Sequence, residues 1–504
     1  MNYYLLTGAT GLLGRYLLRY LLPRGVPLAV LVRDNRAATA RQRLETIVAD
    51  LETQLGYVLP RPVLLNGDLS SPHLGLSPEL LTWMRRNVRG VLHNAASLSF
   101  EDGAPHEEPW KTNLTGTAHL LEATRELGIR EFHHVSTAYV CGRRHGLIRE
   151  EDLDVGQTFG NDYERSKFQA EQLINQASWL TSRTVYRPAI IVGDSQTGFS
   201  NTFHGFYTPL RIVHMLLNSG LPVPVQAESL VHILGLHGSE RKNLVPVDWV
   251  AAVIGYLFSD RRHHGEVYHV TPEEATPVSL LCEVMETAVL QFAAQQPRIA
   301  DAVIHQAAGL SVPDFLASFR ERMQVYQAYW RDDPQFDATQ RTRHAPHLLC
   351  PQMNRDRLLK LCTFAMDVNF WWSKGNRVTP PFSASDWLQA LPHEDLHAHA
   401  YAADELLQLR ILGPGGDDFT LRFQDDTPLA QAPGIRSDAH ATLTVSVDTL
   451  QALSQQQMDY HTAFQEGRIV LENCLLTPNE IEHRLCALFH SRAMVPSNHE
   501  VAIA

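Results

Sequence analysis

The run Thr7-Gly8-Ala9-Thr10-Gly11-Leu12-Leu13-Gly14 follows an apolar strand candidate, Tyr3–Leu6, and opens at once into a helical pattern over Leu12–Leu22. Few folds place three glycines between a first strand and a first helix. Gly8 permits a tight turn, Gly11 leaves room for a pyrophosphate to approach the backbone, and Gly14 lets the helix pack closely on the strand. The helix N-terminus presents unpaired N–H groups to that anion. The spacing predicts a dinucleotide held at the carboxyl edge of a parallel sheet.

The pattern repeats as far as about residue 270. Short β-branched or leucine-rich runs at Leu28–Val32, Val63–Asn66, Gly90–His93, Glu131–Val135 and Thr184–Arg187 alternate with helical stretches at Arg36–Leu55, Asn113–Leu127 and Tyr163–Gln176. Six strands with helices between them read as an α/β, doubly wound parallel sheet occupying residues 1–271. Residues 272–390 change to long helical stretches, including Pro297–Leu310 and Asp314–Trp330, and then an aromatic patch at Phe370-Trp371-Trp372. This segment reads as a helical cap on the substrate side. After Pro380-Pro381-Phe382 and the loop Ser383–Asp386, residues 391–504 show short alternating strands and a turn at Gly413-Pro414-Gly415-Gly416-Asp417, the pattern of a separate α+β domain.

Charge and cysteine usage narrow the function classes. Lys and Arg number 43 against 55 Asp and Glu, a net charge of −12, which disfavours a surface built to neutralise a nucleic-acid backbone. The six cysteines are too few and too scattered for a disulfide scaffold or a paired-thiolate zinc site, and they fit a reducing compartment. The 25 histidines show no HExxH or other metal-ligand spacing, so no metal is expected. The N-terminus carries no cationic leader, and no run approaches 18 uninterrupted apolar residues. The expectation is a cytoplasmic protein without a membrane span.

The second strand ends Val30-Leu31-Val32-Arg33-Asp34. An acidic side chain at this place takes the ribose hydroxyls of NAD, whereas an arginine pairs with the 2′-phosphate of NADP. Arg33 comes first and favours NADP; Asp34 keeps NAD open. Arg43, further along, is either a second phosphate clamp or a solvated helix-face charge. Asp68-Leu69 after the third strand suits the adenine edge, and Asn94-Ala95-Ala96 after the fourth sets small residues where a cofactor passes close to the backbone.

Ser136-Thr137 ends the fifth strand, and Tyr163-Glu164-Arg165-Ser166-Lys167 starts a helix. Tyr163 and Lys167, four apart, leave one helical face. An ammonium beside a phenol favours phenolate and is expected to lower the Tyr163 pKa toward working pH. Thr137 would hold the substrate oxygen and Lys167 the nicotinamide ribose; Ser136 reads as a strand-end residue whose hydroxyl bonds locally. His204, Tyr207 and Trp249 read as packing or rim residues.

Residues 3 to 270 resemble the extended short-chain dehydrogenase/reductase superfamily, and within it the thioester reductase and fatty acyl-CoA reductase branch of male-sterility type. TGATGLLG at 7–14 and YERSKFQAE at 163–171 belong to the superfamily, while HNAASLSFED at 93–102, HVSTAYV at 134–140, YRPAIIVGD at 186–194 and NLVPVDWVA at 243–251 look like the branch. The resemblance implies a Rossmann-type fold and a cofactor surrounded by Gly8, Thr10, Gly11, Leu12, Leu13, Arg33, Asp68, Leu69, Asn94, Asn113, Tyr163, Lys167, Pro188 and Ile190. Thr137, Tyr163 and Lys167 would be catalytic. Residues 391–504 are similar to a sterol carrier protein domain through Ala441-Thr442-Leu443-Thr444-Val445 and Phe464-Gln465-Glu466-Gly467-Arg468-Ile469. That likeness implies a lipid ligand. The helical segment is similar to acyl-reductase caps through Tyr329 and Asp333-Pro334-Gln335-Phe336-Asp337.

The function expected is NADPH-dependent reduction of an acyl thioester, on CoA or an acyl-carrier protein, to the aldehyde, with a second hydride step to the alcohol left open. Hydroxysteroid or ketone dehydrogenases and sugar-nucleotide epimerases of the same superfamily share the three catalytic residues and stay open as alternatives. A lipid carrier that only binds NADP(H) is the alternative from another class; the intact Tyr-Lys pair argues against it.

Overall fold

The computed structural model describes residues 3–36, 38–100, 103–218, 236–295, 327, 329, 331–370, 387–388, 405–412, 416, 418–424, 427–433, 439–466, 468–472 and 478–490. Pro297–Leu310, nearly all of Asp314–Trp330, Trp371-Trp372, Pro380-Pro381-Phe382, Ser383–Asp386, Gly413-Pro414-Gly415 and Asp417 lie outside them. The chain forms two compact units. The first comprises Met1–Val32, Pro62–Leu76 and Asn87–Lys374; the second comprises Arg33–Arg61, Ser77–Arg86 and Gly375–Ala504.

In the first unit a seven-stranded sheet is built from β1 (Tyr3–Thr7), β2 (Leu28–Val32), β3 (Val63–Asn66), β4 (Val88–His93), β5 (Glu131–Val135), β6 (Ser182–Pro188) and β7 (Val267–Val270). Every pairing is parallel, and the order is β7-β6-β5-β4-β1-β2-β3. This is the doubly wound order of dinucleotide-binding sheets, extended by one strand. The sequence pattern marks six strands, and β7 is the addition. Leu5, Leu6, Val30, Val91, Leu92 and Phe132 are fully buried, as expected of strands covered on both faces. The order reverses at β1 and β4, which places the functional crevice at their carboxyl ends.

Helix α1 (Leu12–Leu21) packs on α7 (Val247–Ser259), where a Cβ at Gly255 would strike the Tyr20 ring at 2.2 Å. Helices α4 (Gly116–Leu127) and α5 (Asp162–Gln176) follow β4 and the loop after β5. Asn161 caps α5 by accepting from the Glu164 N–H, and Asp162 and Glu164 sit in its first turn where the helix dipole favours them. The expected helix from Asn113 begins instead with a wide π-type turn over Lys111–Thr115. Helices α6 (Tyr207–Asn218), α8 (Val278–Ala294) and α9 (Arg355–Asp367) share one apolar core, with Leu217, Val284, Leu358 and Leu361 fully buried. Part of the expected helical segment is thus joined by packing to α6 of the preceding chain, with about 25 cal/mol favouring burial of each Å² of apolar surface.

The second unit holds a five-stranded sheet of β8 (Glu405–Leu412), β9 (Asp418–Gln424), β10 (Thr427–Pro433), β11 (Ala441–Ser446) and β12 (Ile469–Glu472), in the order β10-β9-β8-β11-β12. Only β8 and β11 pair in parallel. Leu409, Ile411, Leu421, Leu443, Ile481 and Leu488 lie in its core. The same unit includes α2 (Ala40–Leu55) and most of α3 (Pro78–Asn87). Arg41 donates to the Ile411 carbonyl at 3.0 Å and pairs with Asp418, which also faces Arg410 at 3.3 Å. The α2 N-terminus lies at Ala40 and not near Arg36, because Thr39 and Gln42 form a reciprocal capping box there. Among the described residues no helix is long and apolar enough to cross a membrane.

Candidate active site

The glycine turn is sterically determined at two positions. Gly8 has φ +70°, and a Cβ there would lie 2.7 Å from the Ala95 backbone; a Cβ at Gly14 would lie 2.1 Å from the Gly8 carbonyl. Gly11 differs. Its Cβ would meet only the Gly8 carbonyl, at 3.4 Å, so neighbouring protein does not demand a glycine there. The first turn of α1 also receives no side-chain cap from Gly11, which leaves its N–H groups to an anion. These residues fit a dinucleotide pyrophosphate. Thr10, Leu12 and Leu13 complete the turn, with Leu13 buried.

Asn94 Nδ2 donates to the Gly8 carbonyl at 3.1 Å, and Thr7 Oγ1 accepts from the Asn94 and Ala95 N–H groups at 3.2 and 3.1 Å. Thr7 also meets His93 Nδ1 at 2.8 Å, and His93 Nε2 meets Thr117 Oγ1 at 3.0 Å. The glycine turn is thereby tied to α4. Leu69 packs against Gly116, while Asp68 Oδ1 accepts from the Ser70 N–H at 2.9 Å and from its hydroxyl at 2.8 Å.

At the carboxyl end of β5, Thr137 is buried, its hydroxyl hydrogen-bonded to Tyr163 and 3.5 Å from the Pro188 carbonyl. Lys167 is also buried, and its Nζ donates to the Val135 carbonyl at 2.8 Å and lies 3.3 Å from His134 Nε2. Asn113 sits in the wide turn, where it links Ser97 (2.8 Å to the N–H) with the Ser166 hydroxyl (3.0 Å). Ser166 in turn donates to the Tyr163 carbonyl at 2.8 Å. Thr137, Tyr163, Lys167, Asn113 and Pro188 are therefore brought together. Ile190 packs on the α6–α8–α9 core beside them in sequence, its N–H on the Asn243 carbonyl.

Two expectations are corrected by this geometry. Burial raises the Tyr163 pKa to about 12, against the lowering supplied by the Thr137 hydrogen bond, and burial lowers the Lys167 pKa to about 7. Desolvation therefore outweighs the expected ammonium–phenol pairing. Ser136 does not bond locally: its hydroxyl donates at 2.8 Å to Glu171, which forms a buried ion pair with Arg187.

Arg33 and Arg43 belong to the second unit. Arg33 is exposed, and the half-buried Arg43 donates to its backbone carbonyl. Burial and the Arg33 charge both lower the Arg43 pKa, so the two guanidinium groups sense one another. Asp34 Oδ1 accepts from the Ala40 N–H at 2.7 Å, at the start of α2.

Sequence reasoning does not single out His134, Ser166, Glu171 or Arg187. Glu171 lies four residues after Lys167 on the same helical face, which is the signal that could have found it. His134 Nδ1 is buried with no hydrogen-bond partner, and its ring stacks on His93 at 5.2 Å. Phe100 tilts over Tyr163 at 5.1 Å and meets Tyr329 edge-on at 5.9 Å; Tyr329 accepts from Asn161 at 3.0 Å. Tyr207 and Trp249 are packing residues as expected: Tyr207 accepts from the Gly193 N–H at 3.0 Å, and Trp249 donates to the Leu348 carbonyl at 3.0 Å. His204 is exposed.

Residues 6–254 match the family model described as male sterility protein. This segment is similar to that family. A nonribosomal peptide synthetase of Aspergillus flavus is 30% identical over 295 residues, covering 54% of this chain and 26% of the relative. Mouse fatty acyl-CoA reductase 1 is 25% identical over 311 residues, covering 54% of this chain and 58% of the relative. The chain thus spans about a quarter and under two thirds of these relatives' lengths. In fold, this chain is similar to the terminal R domain of the myxalamid PKS-NRPS biosynthetic pathway, with a TM-score of 0.56 at 23% identity, covering 75% of this chain and 93% of that one.

Proposed function

We propose that this protein uses NADPH to reduce an acyl thioester carried on CoA or on the phosphopantetheine arm of a carrier protein. The observation that carries the reading is the Tyr163–Thr137 hydrogen bond at the end of β5, with Lys167 one turn along the same helix. The family match over residues 6–254, with acyl-CoA reductase and peptide synthetase relatives, supports the substrate class. When bound, NADPH supplies hydride to the thioester carbon. Tyr163, kept protonated by its raised pKa, holds and delivers the proton at the substrate oxygen. Thr137 positions that oxygen, and its hydrogen bond to Tyr163 strengthens as negative charge develops there. Lys167 orients the nicotinamide ribose, and Asn113 fixes the first turn of α5 through Ser166. Loss of the thiol leaves the aldehyde, and a second round gives the alcohol.

Gly8, Thr10, Gly11, Leu12, Leu13, Asp68, Leu69, Asn94, Pro188 and Ile190 would complete the cofactor site. NADP is preferred over NAD because Asp34 is engaged at the start of α2 while Arg33 and Arg43 form a cationic pair suited to a 2′-phosphate. The C-terminal unit, with its antiparallel-rich sheet over an apolar core, supports a sterol carrier protein-like role in holding a lipid. Cys141, Cys282, Cys350 and Cys362 are free thiols, which supports a cytoplasmic setting.

The test is incubation with NADPH and a panel of medium- to long-chain acyl-CoAs, following NADPH oxidation and thiol release together. Stoichiometric coupling of the two is expected. Turnover of a ketosteroid or nucleotide sugar, with none on any thioester, overturns the substrate class; preference for NADH overturns the cofactor assignment.

A further inference from the structure

At the amino end of β5, remote from Tyr163, three side chains of different origin converge. Glu131 and His133 are two residues apart and so leave one face of the strand. His264 arrives from the segment just before β7. Glu131 Oε1 lies 3.2 Å from His133 Nε2 and 3.2 Å from His264 Nδ1, and all three atoms fall within 4.8 Å of one another. Ligands about 2.0–2.1 Å from a tetrahedral zinc ion stand roughly 3.3 Å apart. The two separations from Oε1 match the ligand spacing of such an ion.

Hydrogen bonding around the group points the same way. His264 Nε2 lies 2.9 Å from the Phe258 carbonyl, so this nitrogen carries a proton. Its Nδ1, when the ring is neutral, then turns a lone pair toward a carboxylate oxygen, and two acceptors face each other. A cation between them removes that conflict. The far nitrogen of His133 is likewise held, 3.2 Å from the Tyr186 hydroxyl. Metal-bound histidines fix their other ring nitrogen in this manner, on a carbonyl or another polar group. The His133 and His264 side chains are 0% and 6% exposed and Glu131 is 12% exposed, so the donors are oriented by packing. The remaining charged neighbours leave Oε1 accessible to a cation. Arg261, 69% exposed, lies 3.5 Å from the other oxygen, Oε2, and Arg89 donates to the Tyr4 hydroxyl, itself a donor to Oε1 at 2.7 Å.

We propose that Glu131, His133 and His264 bind a divalent transition-metal ion of the zinc class, which staples β5 to the segment leading into β7. The site is structural and does not depend on the thioester reading. No sequence spacing announces it, because His264 is far from the other two along the chain.

The experiment uses the full chain freed of metal, titrated with Zn²⁺ against a chromogenic chelator, with thermal unfolding followed with and without the ion. One equivalent is expected to bind and to raise the melting temperature. His264→Gln, at a partly exposed position, should weaken binding at least tenfold, with NADPH oxidation at saturating substrate unchanged. Cobalt(II) should give a tetrahedral absorption band that His264→Gln abolishes. Absence of stoichiometric uptake, or uptake that His264→Gln leaves intact because thiols supply the ligands, overturns the proposal. So does stabilisation by acidification alone, which would show that an imidazolium and not a metal occupies the gap.

Discussion

Strand β5 carries a polar cluster at each end, and the two are satisfied in different ways. At its amino end Glu131 Oε1 is crowded by groups able to share its charge: the Tyr4 hydroxyl donates to it, and nitrogens of His133 and His264 stand 3.2 Å away, placed to hold a cation with it. At its carboxyl end the balance is reversed. His134 Nδ1 has no partner, Lys167 is buried with a lowered pKa, and Tyr163 is held at about 12 by burial. An end dense in partners adds stability, whereas an end that keeps desolvated groups costs stability and retains reactive chemistry. Buried polar groups on one strand can therefore serve opposite purposes within about 13 Å, the rise of four residues.

The largest test of the contrast lies in the one fully paired element of the carboxyl end. Arg187 donates to Glu171 from both Nε, at 3.1 Å, and Nη2, and both side chains are 1% exposed. Arg187→Met leaves Glu171 as an uncompensated buried charge. A loss of about 3–5 kcal/mol in urea unfolding is expected, and Arg187→Met with Glu171→Leu should recover much of it. A loss under 1 kcal/mol for the single variant would show that this end is not held by the pair. Next comes Tyr163→Phe, which removes one hydroxyl and keeps the ring against Phe100. Turnover should fall roughly 10²-fold or more while unfolding stays near wild type. Equal losses of activity and stability would erase the distinction between the two ends.

A titration sharpens it further. An unfolded lysine keeps its proton to about pH 10.4, while folded Lys167 releases it near 7. The unfolded chain therefore binds more protons between these values, and stability must rise with pH across that window by about 1.4 kcal/mol per unit. Below pH 7 the desolvation penalty is present in full. Glu171 opposes the shift, and neutral His93 and His134 are the other titratable groups sensing Lys167. Lys167→Met should flatten the slope between pH 7 and 10 in the ligand-free protein, measured by urea midpoints. A slope unchanged by the substitution would mean that the lysine is not the group responsible.

Much of this was legible before any coordinates. The strands Leu28–Val32, Val63–Asn66 and Glu131–Val135 have the expected bounds, since each is a compact run between clear breaks. β1, β4 and β6 extend further because Thr7, Arg89, Ser182 and Pro188 give no strand signal of their own, although ladder pairing recruits their backbones. β7 was missed because His269 breaks a four-residue apolar run. The Tyr163–Lys167 spacing is local and readable, but the direction of their pKa shifts depends on how deeply the fold buries them. The Glu171–Arg187 pair joins a helix to a strand, and His264 reaches β5 from beyond β6. Only tertiary contact reveals such partners.

The smallest effect belongs to the amino end. Tyr4→Phe deletes the 2.7 Å donor to Glu131 Oε1 and the acceptor used by Arg89, but it leaves the ring against Phe258 at 4.5 Å. A hydrogen bond to a charged group contributes about 1.5–3 kcal/mol when its loss strands the partner. Glu131 is not stranded, because His133 and His264 remain within 3.2 Å of the same oxygen. The expected loss accordingly falls below that range, about 1 kcal/mol in urea unfolding, with turnover unchanged. The hydroxyl's pKa, raised to about 12 mainly by burial and then by Glu131, gives the accompanying sign: folding favours the protonated phenol, so stability falls as pH rises from about 10 toward 12. Tyr4→Phe should reduce that alkaline loss. A drop of 3 kcal/mol or more would mean that Tyr4, and not the two histidines, holds Glu131 in place, and would remove the redundancy on which the contrast between the two ends of β5 depends.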